Sequence, residues 1–234
     1  MFGDLPLVTC PIGNLRWEDV WPPYGIKLSW RGITLRPVRP ADAVGLGRIL
    51  DAGILPPSQY HFMGGMFKKE AVNEAAWARQ VLRYEADLIR RWRTDSWKLQ
   101  FAVSIEDRLI GCQSIEADKF PSDRCFETGS YLAAPVQGRG IGRIMRAMII
   151  EFGFRCLDGR VAVSGYHPEN AASAAVSRHL GYQATGCQEE SWRDQTVRYQ
   201  IVSLSSDNWP THRPDGLDEM QISGIEAFKQ FIDI

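Results

Sequence analysis

The stretch Q-G-R-G-I-G at residues 137–142 decides how the rest of the chain is read. It follows a strand-like segment at 126–132 and opens an amphipathic helix. Glycines at 138, 140 and 142 let successive backbone N–H groups turn toward one point, and the helix dipole adds partial positive charge there. A simple turn needs one glycine, whereas three in alternation beside Arg139 and Arg143 suit a phosphate or pyrophosphate. No Gly-Lys followed by Ser or Thr closes the loop as in a Walker motif, and Arg143 stands where the dinucleotide fingerprint needs its third glycine. The phosphate ligand therefore belongs to another class.

Outward from this loop the periodicity is mixed. Upstream, 33–36 reads as a first strand, 40–50 as a short helix, and 72–92 as a longer helix with Val81, Tyr84, Leu88 and Trp92 on one stripe. Then Trp97, Leu99, Phe101, Val103 and Ile105 alternate with Lys98, Gln100, Ala102 and Ser104. This pattern predicts a half-buried strand that turns at 106–108 into a second one at 109–116. A third strand at 125–132 leads through the glycine loop into a helix at 140–156, with Ile141, Ile144, Met145, Met148 and Phe152 facing inward. A strand at 161–166, a helix at 170–180 stopped by Gly181, and strands near 182–190 and 196–204 follow. Because a crossover helix joins the strands at 125–132 and 161–166, those two run parallel inside an otherwise antiparallel sheet.

A chain of 234 residues can bury one sizeable core, and no linker or internal repeat divides it. Its 28 acidic and 27 basic residues give no global reason to expect nucleic acid or an acidic membrane as partner. The five cysteines (Cys10, Cys112, Cys125, Cys156 and Cys187) are scattered and never form a CxxC pair, which argues against a disulfide framework or a zinc site. His61, His167, His179 and His212 have no metal-ligand spacing, so no metal is expected. The N-terminus lacks the pattern of a signal peptide, and Arg146 and Glu151 interrupt the longest apolar helix, so the expectation is a soluble cytoplasmic protein.

The loop at 137–142, the strand before it and H-P-E-N-A-A-S some thirty residues after it together resemble the coenzyme A site of the GNAT acetyltransferase superfamily. The likeness runs through TGSYLAAPVQGRGIGRIMRAMII (128–150) and SGYHPENAASAAVSRHLGY (164–182), in the spacing of the ribosomal-protein alanine acetyltransferase (RimJ/RimL-like) branch. A weaker likeness to actinobacterial members extends from WPPYGIKLSWRGITLRP to WPTHRPDGLDEM. The resemblance implies a GNAT fold, an α/β mixed and mostly antiparallel sheet flanked by helices, whose parallel pair splays apart to admit CoA. It also implies an N-terminal extension at 1–29 packed on the domain, an acyltransferase domain at 30–205 and a C-terminal extension at 206–234.

By the same likeness, Gln137, Gly138, Arg139, Gly140, Ile141, Gly142 and Arg143 would hold the CoA pyrophosphate. The backbone of Tyr131, Leu132 and Ala133 would hold pantetheine and polarise the thioester. Asn170, which is also a good helix N-cap, would touch the pantetheine arm, and Ser173 would reprotonate the departing thiolate. Glu127, on the strand face of Gly129 and Tyr131, would take the proton of the attacking amine; exposure is the common alternative for such a glutamate.

The implied activity is transfer of an acetyl group from acetyl-CoA to a primary amine, on a small molecule or a protein, by direct attack and without a metal. A succinyl group from succinyl-CoA is an alternative within the same chemistry. Its carboxylate would need a partner such as Lys68, Lys69, His61 or Gln59, or Arg193, whereas closure by Phe62, Phe67 or Trp192 would favour acetyl. A CoA-binding module without turnover is a second alternative. Apolar Met220, Ile222, Ile225, Phe228 and Phe231 could pack on their own domain or on a neighbour, and a homodimer is the expected assembly.

Overall fold

A computed structural model describes residues 15–56, 71–192 and 195–234. Nine strands form one sheet: β1 (Lys27–Trp30), β2 (Ile33–Pro37), β3 (Trp97–Ile105), β4 (Arg108–Ala117), β5 (Cys125–Leu132), β6 (Val161–Tyr166), β7 (Gln183–Trp192), β8 (Gln195–Ser205) and β9 (Gln221–Ser223). Their spatial order is β7-β8-β6-β5-β4-β3-β2-β1-β9. The helices are α1 (Trp17–Val20), α2 (Ala43–Asp51), α3 (Glu74–Arg91), α4 (Phe120–Asp123), α5 (Ile141–Glu151), α6 (Ala171–His179), α7 (Trp209–His212) and α8 (Ile225–Phe231). Only β5 and β6 pair in parallel, joined by α5 as the crossover, and every other ladder is antiparallel. This is a mixed, mostly antiparallel α/β sheet with a single parallel pair, as the resemblance implies.

Local chemistry explains most of these boundaries. β1 and β2 form a hairpin through Arg31 and Gly32, and β3 and β4 through Glu106 and Asp107, all four at positive φ as the tight right-twisting turn demands. The first of these hairpins places one strand ahead of the strand expected to come first. Asn73 caps α3 by accepting the Ala76 amide at 2.9 Å. The helix expected to run to residue 156 stops being α-helical at Glu151 and continues as a π-type turn, Phe152–Cys156. There the Phe126 ring lies against Gly153, and a side chain at that position would collide with it.

The core lies on both faces of the sheet. On one, Phe101, Ile115 and Phe126 meet Met145, Met148 and Phe152 of α5 and Phe228 of α8. On the other, Val38, Ala102, Cys112 and Tyr131 meet Leu46 and Leu50 of α2 and Trp77 and Val81 of α3. The half-buried reading of β3 is therefore corrected: Gln100 and Ala102, on the face expected to be wet, are only 4% and 1% exposed, because α2 and α3 cover them.

The C-terminal residues pack on their own chain. β9 extends the sheet beyond β1, and Met220, Phe228 and Ile232 are buried in the larger core cluster. Buried Glu151 of α5 anchors this segment, accepting from Trp209 Nε1 at 2.8 Å and from Arg213 Nε and Nη2 at 2.9 Å each. Replacing Glu151 by Ala would leave the buried Trp209 indole N–H without its acceptor and strip half-buried Arg213 of its main partner, leaving it only Asp218 at 3.5 Å. We expect a loss of about 3 kcal/mol in denaturant unfolding, and an unchanged midpoint would show that this anchor carries no stability.

Candidate functional site

The parallel ladder is short. It comprises Cys125↔Val161, Phe126↔Ala162 and Glu127↔Val163, after which β5 runs on to Leu132 and β6 to Tyr166 without pairing with each other. Two side-chain bonds close the root of this opening: Ser164 Oγ donates to the Thr128 carbonyl at 3.0 Å, and Thr128 Oγ1 donates to the Val163 carbonyl at 3.4 Å. Behind them, Tyr182 Oη lies 3.5 Å from Thr128 Oγ1. The strands part beyond Thr128, and a parted pair exposes backbone groups along its inner edges.

Which amides face the opening follows from the β4 ladder. Ala133 N–H donates to the Ile110 carbonyl at 2.8 Å, so the alternation of the strand also turns Tyr131 toward β4 and leaves Leu132 and Ser130 facing the gap. Of Tyr131, Leu132 and Ala133, all three expected as backbone donors, Leu132 is the one whose amide points there. At Gly129 the ladder yields to side chains: its carbonyl accepts from Gln113 Nε2 at 2.9 Å and from Ser114 Oγ at 3.2 Å.

The glycine loop follows directly. Gly138 and Gly140 hold φ of +72° and +78°, a region closed to most side chains, and Gly140 serves as N-cap of α5. Among the described residues, no amide from 138 to 142 donates a hydrogen bond, so five consecutive N–H groups stand free at a helix N-terminus. Arg139 and Arg143 are exposed on either side. Gln137 has a different part: its Nε2 donates at 2.8 Å to both the Leu132 and the Ile54 carbonyls, tying the end of β5 to the segment after α2.

Across the gap, Asn170 caps α6, its Oδ1 accepting the Ser173 amide at 3.1 Å. Ser173 is half-buried in the first turn of that helix. Glu127 is exposed and occupies the last rung of the parallel ladder, beside Glu116 of β4, which is paired in turn with Lys98 at 2.9 Å. It sits at the crotch of the opening. Arg146, buried on α5, donates to Ser177 Oγ of α6 at 3.1 Å and so holds the two helices of the site together.

One group escapes the sequence reading. Glu85 of α3 lies over the sheet on the Tyr131 side, in a cavity with Leu46, Gln80, Val81, Tyr84, Gln100, Cys112 and Tyr131. Burial, followed by the negative charge of Asp42, pushes its carboxyl up to about 8. The signal was available, since Trp77, Val81 and Glu85 succeed one another at helical i, i+4 spacing on a stripe otherwise apolar. His61, Gln59, Phe62, Phe67, Lys68, Lys69 and Arg193 lie outside the described residues, as does the side chain of Trp192. Among the described residues no three His, Cys, Asp or Glu side chains converge as for a metal, and no helix is long and apolar enough to cross a membrane.

The raised Glu85 carboxyl has a consequence for stability. The folded chain retains this proton up to about pH 8, whereas the unfolded chain releases it near 4.5. Its contribution is fully present below about 4.5 and is lost as pH rises through about 8. Glu85→Gln should flatten the decline in melting temperature across that window; an equally steep decline in the variant would mean that Glu85 ionises normally.

Residues 33–183 match the family described as the acetyltransferase (GNAT) domain. Among solved structures, Mycobacterium smegmatis RimJ in complex with CoA-disulfide is similar with a TM-score of 0.65 at 20% identity, over 89% of this chain and 95% of that one. RimL, a ribosomal-protein alpha-N-acetyltransferase in complex with coenzyme A, gives 0.61 at 17% identity over 76% and 96%. A ribosomal-protein alanine acetyltransferase from Vibrio fischeri gives 0.58 at 19% identity over 78% and 98%. At these identities the likeness is one of fold.

Proposed function

The chain belongs to the GNAT acetyltransferase family, and on that premise we propose that it transfers an acetyl group from acetyl-CoA to a primary amine by direct attack. The observation that carries this reading is the union of five free amides at 138–142 with a strand gap that opens beyond Glu127 and leads along β5 to the glycine loop. Such a pair suits a ligand with a pyrophosphate at one end and a peptide-like arm at the other. The pyrophosphate would rest on the amides of Gly138, Arg139, Gly140, Ile141 and Gly142, with Arg139 and Arg143 adding charge. Pantetheine would lie along β5, and the Leu132 amide would meet the thioester oxygen as negative charge develops on it.

The acceptor nitrogen then attacks the thioester carbon, the C–S bond breaks, and an amide and CoA thiolate result. Glu127, at the crotch of the gap, would take the amine's proton, and Ser173, in the first turn of α6, would return one to the thiolate. Asn170 reaches the arm only with the part of its side chain that does not cap α6. Gln137 would act indirectly, by holding the end of β5 in place. The names of the RimJ and RimL neighbours make a protein amine one acceptor to test.

Gly140→Asp puts a carboxylate and a strained backbone where the pyrophosphate would rest, and should weaken CoA at least tenfold in calorimetry. Unchanged affinity would remove the loop from the CoA site. Glu127→Gln should slow turnover by about a hundredfold or more, most severely at low pH where hydroxide cannot substitute for the lost base. A rate profile that overlays the wild type would return Glu127 to an exposed strand residue. Release of free thiol from acetyl-CoA with candidate amines separates catalysis from CoA binding without turnover, and succinyl-CoA in the same assay tests the longer acyl group.

A further inference from the structure

Two charged side chains of α5 are buried, and only one of them is matched. Glu151 accepts from both Trp209 and Arg213. Arg146, only 5% exposed, has a single hydrogen-bond partner among the described residues: its Nη1 donates to Ser177 Oγ at 3.1 Å, while its Nε is buried without a partner. No carboxylate among the described residues pairs with it, and the one group that favours its charged form is the Tyr182 hydroxyl. A guanidinium keeps its proton even so, and a charge held dry without a counter-ion costs stability.

Three elements fix where this charge lies. On α5, Gly142 stands one turn before Arg146 on the same face. A Cβ at Gly142 would lie 3.8 Å from Leu132 and 3.9 Å from Val176, so this face looks onto the end of β5 and onto α6. On α6, Ser177 stands one turn after Ser173, the residue assigned to the departing thiolate. Below both, Tyr182 Oη lies 3.5 Å from Thr128 Oγ1, where β5 and β6 begin to part. Arg146 therefore sits beneath the floor of the gap, between the glycine loop and the root. Of the titratable groups on these elements, Arg143, Arg178 and His179 are exposed, burial keeps Tyr182 neutral, and Glu127 of β5 acts on Tyr182.

We propose that Arg146 is a positioning residue whose unmatched charge stabilises the thiolate of CoA as it leaves, so that the reaction itself supplies the missing counter-ion. The inference rests on the CoA reading of the gap and adds a residue to it. When the amine attacks and the C–S bond breaks, the electron pair passes to sulfur and the amine's proton to Glu127. Arg146 gives up no proton and touches no reacting atom; it acts through a water-poor region in which charges are weakly screened. The sulfur of the thioester is neutral, so this stabilisation appears only as the bond breaks.

CoA carrying ¹³C at the carbon bonded to sulfur reports the ionisation of its thiol, free and with saturating protein. In the wild type the bound thiol should ionise about one unit or more below that of free CoA, a gain in thiolate of about tenfold. Arg146→Met removes the charge and keeps an unbranched chain, and should return the midpoint to the free value or above it. Ser177→Ala breaks the tie between the helices but keeps the charge, and should leave the midpoint low. Without ligand, Arg146→Met should melt no lower than the wild type, since an unmatched charge gives way to an apolar chain. A marked drop in melting temperature would make Arg146 a structural tie and overturn the inference. An unlowered thiol in the wild type overturns it whatever the variants do, as does a midpoint that Arg146→Met leaves in place or that Ser177→Ala raises equally. If CoA does not bind, the acetyltransferase reading fails and this inference with it; if CoA binds with an ordinary thiol, only this inference fails.

Discussion

The constraint on which the rest of the molecule depends is the loss of pairing between β5 and β6 beyond Glu127 and Val163. Parallel strands that part must satisfy or expose their inner backbone groups, and exposure inside a domain is expensive. The chain meets this at the root with hydroxyls, Ser164 on the Thr128 carbonyl and Thr128 on that of Val163. Beyond the root it leaves the amides of Ser130 and Leu132 facing the gap, while Gln137 takes the Leu132 carbonyl. The neighbouring ladder stays intact on either side, β4 with β5 and β8 with β6, so the gap is held open by two rigid half-sheets.

Several distant residues serve this opening. Gln137 ties the free end of β5 to Ile54, and Arg146 ties α5 to α6 across the floor of the gap through Ser177. Glu151, one turn and a half further along α5, draws in Trp209 and Arg213, so the C-terminal segment braces the helix whose N-terminus presents the free amides. Sites built on such elements keep their geometry better than sites on loops alone. The two polar regions meet β5 differently: one lies along its unpaired edge, the other over the face that bears Tyr131.

Much of this was legible in the sequence because the decisive signals are local. Alternate glycines permit the positive φ that Gly138 and Gly140 adopt, and strict alternation marks β3. A helix between two strands requires that they run parallel. What escaped has tertiary causes. The even face of β3 looks polar, but α2 and α3 bury it, which no pattern within β3 reveals. Where α5 gives way to the π-type turn, Gly153 is packed against by Phe126 from another element, which no pattern within the helix reveals. Ala133 resembles its neighbours as a backbone donor until the Ile110 carbonyl claims its amide, and Gln137 resembles a loop residue until Leu132 and Ile54 claim its side chain. Glu85 was visible as a carboxyl on an apolar stripe, but its partial burial depends on the strands beneath α3, which bring Gln100, Cys112 and Tyr131 beside it.

The central claim is that one gap and one loop together form the CoA site, and amide hydrogen exchange with and without CoA tests it most directly. The account predicts that CoA slows exchange at Ser130, Leu132 and the amides from 138 to 142 while leaving β1, β2 and β9 unchanged. Protection confined to another part of the sheet, or absent from both the gap and the loop at saturating CoA, would contradict it.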